Sequence, residues 1–181
     1  MRKVTICSVF LLLAISCISQ HTQKTKRPLL YGGPGFGLDY GGIGLKLEYL
    51  PVKWFGLFGG VGYNFNGLGT NVGISFKGFP DFNSTPVIMI MYGYNSIMKV
   101  NSQYGAEIFS ETYYGFSAGA GYEFLVGKNE NKISLAIIVP FRGSDFNNQY
   151  DEFINTGYTF SSNKPSVTFS VGFTFKSATV R

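Results

Sequence analysis

The chain has 181 residues, with 15 basic against 10 acidic side chains, one histidine and two cysteines; aromatic residues reach 17% while charged residues stop at 14%. Ordinary soluble domains carry about 25% charged residues, so this balance points away from a solvated globular fold. The modest positive charge is no electrostatic footprint for nucleic acid, and the length allows one domain.

The N-terminus reads as an export signal. Arg2 and Lys3 precede an apolar stretch from Val4 to Ile18, and Ser16 and Ser19 supply small residues for a signal peptidase. That stretch is shorter than the roughly 20 residues a spanning helix needs, so residues 1–19 are expected to be a cleaved signal peptide. The alternative is lipidation at Cys17, because Ala14-Ile15-Ser16-Cys17 has the form of a lipobox lacking its usual first leucine. Cleavage after Ser19 removes Cys7 and Cys17, leaving no thiol for a disulfide, a metal or a nucleophile. Residues 20–28 form a tail in which Lys24, Lys26 and Arg27 make a small basic cluster, read as solvated.

From Leu29 to the end, residues 29–181, the dominant period is two, the signature of strands that show alternate side chains to opposite faces. A glycine-rich strand is expected near Leu30–Asp39. Next, Ile43, Leu45, Leu47 and Tyr49 alternate with Gly44, Lys46 and Glu48. Phe55, Leu57, Val61 and Tyr63 oppose Gly56, Phe58, Gly60 and Gly62, and Val72, Ile74 and Phe76 oppose Asn71, Gly73, Ser75 and Lys77. An apolar strand follows near Pro86–Asn95, then Tyr114 to Phe124, Ile133 to Arg142 and Val167 to Phe175. The fold class is therefore all-β, a closed antiparallel up-and-down barrel of eight strands, and no stretch shows helical periodicity of comparable length.

Strand lengths cluster near the ~9–11 residues that a tilted membrane strand requires. An even strand number puts both termini on one side. On that side the turns Leu50–Trp54, Gly78–Thr85 and Val126–Asn131 are short. On the other side the segments 96–110 and 143–165 are the two longest loops, whereas Asp39–Gly42 and Asn64–Gly67 are tight turns. Glycines such as Gly44, Gly60, Gly119 and Gly172 fall on the face opposite the apolar one, as expected for an eight-stranded lumen with little room. Tyr40, Tyr49, Trp54, Tyr63, Phe76, Tyr122, Phe124, Phe141 and Phe175 lie near strand ends and are assigned to aromatic girdles. A soluble barrel would reverse the two faces.

From Leu29 to Phe175 this pattern resembles the small outer-membrane β-barrel proteins of the OmpA/OmpX type. The resemblance implies location in a bacterial outer membrane, contact with outer-membrane lipid and lipopolysaccharide, and delivery by the barrel-assembly machinery. The last strand, Val167 to Phe175, looks like the C-terminal signal read by that machinery, but Lys176–Arg181 follow the final aromatic. A fold resemblance carries little about activity.

Chemistry is sparse. His21, the single histidine, sits in the tail before the first strand, so no Ser-His-Asp arrangement can form in the barrel and catalysis is not expected. Gly32-Gly33-Pro34-Gly35-Phe36-Gly37 lacks the Lys-Ser/Thr of a phosphate loop and has no helix after it. By parity Lys46, Glu48, Lys77 and Glu123 point inward near the termini side, and Asp39 and Arg142 lie near the far rim; Lys46, Glu48, Lys77, Glu123 and Arg142 are expected to form a charge network that plugs the lumen. The last long loop carries Asp145, Tyr150, Asp151 and Glu152 among aromatics, a candidate binding surface whose carboxylates lack the spacing of a calcium loop. The expectation is a non-enzymatic, monomeric outer-membrane barrel, without cofactor or metal and without nucleic acid, that serves the envelope or binds an extracellular ligand through segments 96–110 and 143–165. Competing readings are a narrow pore or a small-ligand transport barrel, and a lipid-modifying enzyme.

Overall fold

A computed structural model describes residues 28–101, 107–155, 159–160 and 166–179. The signal segment, the alternatives at Cys17 and Ser19, the basic tail and His21 lie outside the described residues. Among the described residues there are nine strands: β1 Leu29–Gly37, β2 Gly42–Val52, β3 Phe55–Tyr63, β4 Leu68–Lys77, β5 Ser84–Asn101, β6 Glu107–Val126, β7 Asn131–Pro140, β8 Thr159–Phe160 and β9 Thr168–Thr179. A helix, α1, spans Ser144–Asn155. All strands except the two-residue β8 form a closed antiparallel up-and-down barrel of eight. The sheet runs β4-β3-β2-β1-β9-β7-β6-β5 and closes by pairing β4 with β5. Leu29 of β1 faces Thr179 of β9, so both ends of the described barrel lie at one mouth.

The two-residue period sets the faces. Phe36, Leu45, Leu57, Val72, Ile90, Phe116, Ile137 and Phe169, one from each barrel strand, project outward and are exposed. Tyr31, Lys46, Phe58, Ser75, Met89, Ser117, Ile138 and Ser170, again one from each, are buried in the lumen. The inner face is not wholly small and polar. Phe58, Val87, Met89, Met91, Ala136 and Ile138 pack with Leu38 into an apolar cluster.

Four sequence expectations change. The segment 96–110 is not simply a loop, because β5 and β6 continue through much of it as a long hairpin. A bulge at Asn95, between the pairs Tyr94–Tyr114 and Ser96–Tyr113, reverses the parity. Val87, Met89 and Met91 are buried before it, and Met98 and Val100 after it, so a period-two reading ends at the bulge. The segment 143–165 contains α1. The first strand stops at Gly37, and Leu38–Tyr40 form a 3-10 turn. Finally, β9 runs on to Thr179, so Lys176 remains in the ladder opposite Tyr31.

Candidate functional site: lumen and far mouth

The lumen is filled by two different devices. Nearest the termini, four charged side chains from four strands alternate in sign around a closed ring. Lys77 on β4 lies 3.0 Å from Glu48 on β2 and 2.6 Å from Glu123 on β6. Lys132 on β7 completes the circuit, 3.3 Å from Glu48 and 3.0 Å from Glu123. Ser75 donates to Glu48 at 2.8 Å, and the Lys132 ammonium sits 3.7 Å from the centre of the Tyr31 ring. Two positive and two negative groups thus satisfy one another away from water, the condition under which buried charge is tolerated. Lys132 was outside the sequence reading, which began its strand at Ile133. It has the parity of Ser134 and Ala136, and one more step of the alternation would have found it.

The second device is a turn. Instead of standing at the rim, Leu38–Asp39–Tyr40 folds back into the barrel. Asp39 is 1% exposed and Tyr40 is fully buried. Tyr40 is therefore not part of a girdle, and Asp39 is not a rim charge. Its carboxylate accepts from Lys46 at 2.6 Å and from the Ser170 hydroxyl. The Tyr40 hydroxyl meets Ser134 Oγ at 3.2 Å, its ring lies 4.4 Å from the Lys46 ammonium, and Asn71 Nδ2 donates to the Leu38 carbonyl at 2.5 Å. Gly41 closes the turn with φ 73°, a left-handed conformation that favours glycine.

Glycines on the surrounding strands make the space. A Cβ at Gly35 or Gly172 would overlap the Tyr40 ring or hydroxyl, and one at Gly60 would overlap the Asp39 carbonyl. One at Gly44 or Gly62 would press on the Tyr40 carbonyl. The glycine-rich inner face is thus a socket for the backbone of the turn and for the Tyr40 side chain. A hydrophobic inward Leu38, joined to the apolar cluster, explains why the turn prefers the lumen to water.

The remaining sequence-marked residues lie at the far mouth. Arg142 does not join the charge ring; its Nε donates to Ser96 Oγ at 3.2 Å and its guanidinium lies 5.2 Å from the Phe146 ring centre. Burial pulls that guanidinium below its ordinary pKa, although an arginine stays protonated in proteins. Phe146, Tyr150 and Phe153 stand at i, i+4 and i+7, the spacing of one helical face, and this face turns α1 onto the extended hairpin. Phe146 is buried with Met98 and Val100, and its ring meets Tyr113 edge-on at 5.1 Å. Phe153 lies 5.1 Å from Phe109, and Tyr150 stacks on Phe146 at 6.0 Å. Asp151 and Glu152 are exposed on α1. Asp145 belongs to α1, but its side chain lies outside the described residues. Among the described residues, no group of three or more His, Cys, Asp or Glu is arranged to hold a metal ion.

No protein-family model matches the chain, and no curated protein matches it.

Proposed function

We propose that the protein is a non-enzymatic barrel of a bacterial outer membrane with a filled lumen, acting in the envelope or binding an extracellular ligand through its far-mouth hairpin and α1. The observation that carries this reading is the reversal of faces. Large apolar side chains on every barrel strand are exposed on the outside, while Lys46, Glu48, Lys77 and Lys132 are buried inside. In water such a surface would aggregate; in a bilayer it meets hydrocarbon, and closure leaves no strand edge unpaired within it. The apolar run along β3, from Phe55 to Tyr63, and its counterparts suit a membrane band about 25 Å tall.

A filled lumen also supports a non-catalytic role. The interior charges are engaged with one another, and the described lumen holds no histidine to serve as a base near neutral pH. The far mouth offers the recognition surface, since segments held on a rigid scaffold commonly carry binding.

The test is cell fractionation combined with gel migration of unheated and boiled samples. The expected result is recovery from the outer membrane only with detergent, with a compact band that shifts on boiling. Recovery in the soluble fraction without detergent would overturn the proposal.

A further inference from the structure

Six residues, Gly78–Asn83, join β4 to β5 at the mouth that carries the termini. Phe79 and Phe82 in this turn are 62% and 66% exposed, and their rings meet edge-on at 6.1 Å. The turn is folded: Phe82 N–H donates to the Phe79 carbonyl at 3.1 Å, and the Thr85 hydroxyl donates to the same carbonyl at 3.0 Å. Both rings are therefore held out by a defined backbone.

They do not stand alone. Trp54, in the neighbouring β2–β3 turn, is 50% exposed and stacks on Phe76 at 6.5 Å. A Lys53–Asp81 ion pair fastens the two turns together. Phe76 faces Ile88 across the β4–β5 ladder, and both are exposed on the outer surface. The patch is thus continuous with the apolar outside of the barrel. The β6–β7 turn at the same mouth is different. Gly127, Lys128, Asn129 and Glu130 are all exposed, without an aromatic among them, and Glu130 pairs with Lys176.

From this asymmetry we propose that the β4–β5 turn is a lipid anchor, with Phe79 and Phe82 lying in the headgroup–acyl boundary while the β6–β7 turn stands in water. Aromatic girdles flank the apolar band of membrane barrels and phenylalanine enters the headgroup–acyl boundary, and continuity with the apolar outer face selects lipid over a protein partner as the occupant. The barrel is then held with its β4–β5 side deeper than its β6–β7 side. This inference rests on the membrane reading above.

Trp54 is the only tryptophan in the chain, which makes depth measurable by fluorescence. Full-length protein is refolded into phosphatidylcholine vesicles brominated at shallow or deep acyl positions. Three single-tryptophan variants in a Trp54→Phe background are compared: Phe82→Trp, Lys128→Trp and, as a mid-barrel reference, Ile90→Trp. The expected result is loss of Phe82→Trp emission to shallow bromines, with a blue-shifted maximum and little quenching by aqueous acrylamide. Lys128→Trp should show the reverse, and Ile90→Trp should be quenched by deep bromines. If Phe82→Trp behaves like Lys128→Trp while Ile90→Trp is deeply quenched, the anchor is refuted and the membrane reading stands; this is also the result expected if the turn docks a protein. If Ile90→Trp is not quenched either, both fall. Should Phe82→Trp fail to fold, Phe79→Trp in the same background replaces it: shallow-bromine quenching supports the anchor, and quenching by acrylamide alone overturns it.

Discussion

The two halves of the lumen solve one packing problem in opposite ways. Near the termini, long side chains from β2, β4, β6 and β7 reach inward and close a ring of ion pairs. Towards the far mouth β1, β2, β3 and β9 present glycine to the lumen, and the backbone and the Tyr40 side chain of the inserted turn take the space, while Met89, Met91 and Ile138 pack with Leu38 from the other side. An eight-stranded barrel has an interior that side chains just fill, so a cluster of inward glycines demands an insert. The comparison teaches that inward glycine in a small barrel marks where another segment docks, and need not mark open volume.

The largest effects should come from emptying either device. Tyr40→Ala removes a fully buried ring and is expected to destabilise the barrel by about 3–5 kcal/mol, the range for large aromatic truncations. Glu48→Ala leaves Lys77 and Lys132 short of a partner and is expected to cost a similar roughly 3–5 kcal/mol. Both are measured by urea unfolding in detergent or vesicles. A Glu48→Ala protein as stable as the parent would show that the ring does not hold the termini half.

A sharper contrast follows from the socket. Gly172→Ala places a methyl on the Tyr40 hydroxyl and should cost about 1–3 kcal/mol as overpacking. In a Tyr40→Ala background the same change should cost close to nothing, giving a clear coupling in a double-mutant cycle. Additive effects would mean that the glycine serves the strand rather than the turn. The smallest effect belongs to the Lys53–Asp81 pair, which links two turns at the surface with Asp81 60% exposed. Lys53→Ala should change stability by less than about 1 kcal/mol, and a larger loss would show that this pair organises the aromatic mouth.

How much could be read beforehand follows the same division. Alternation fixes the inward face of Glu48, Lys77 and Glu123, but two of the five charges expected in the network lie elsewhere, Lys46 with Asp39 and Arg142 with Ser96, and Lys132 falls one step beyond the run read from Ile133. The inward turn was not legible: Leu38–Tyr40 follow no period, and Tyr40 beside a strand end looks like a girdle residue. Its trace in the sequence is the run of inward glycines, which signals small side chains without saying what fills the space they leave. The hairpin extension was hidden by the Asn95 bulge, which exchanges the two faces midway along β5. The helix left a signal in Phe146, Tyr150 and Phe153, masked by polar residues that look like a loop.

In the proposed filled lumen, the charge ring and the inserted turn together leave no open path for ions. The most direct measurement is therefore planar-bilayer conductance of refolded protein whose insertion is verified by heat-modifiable migration. A sealed lumen predicts inserted protein without steady unitary currents, and steady open channels from the unaltered chain would contradict it.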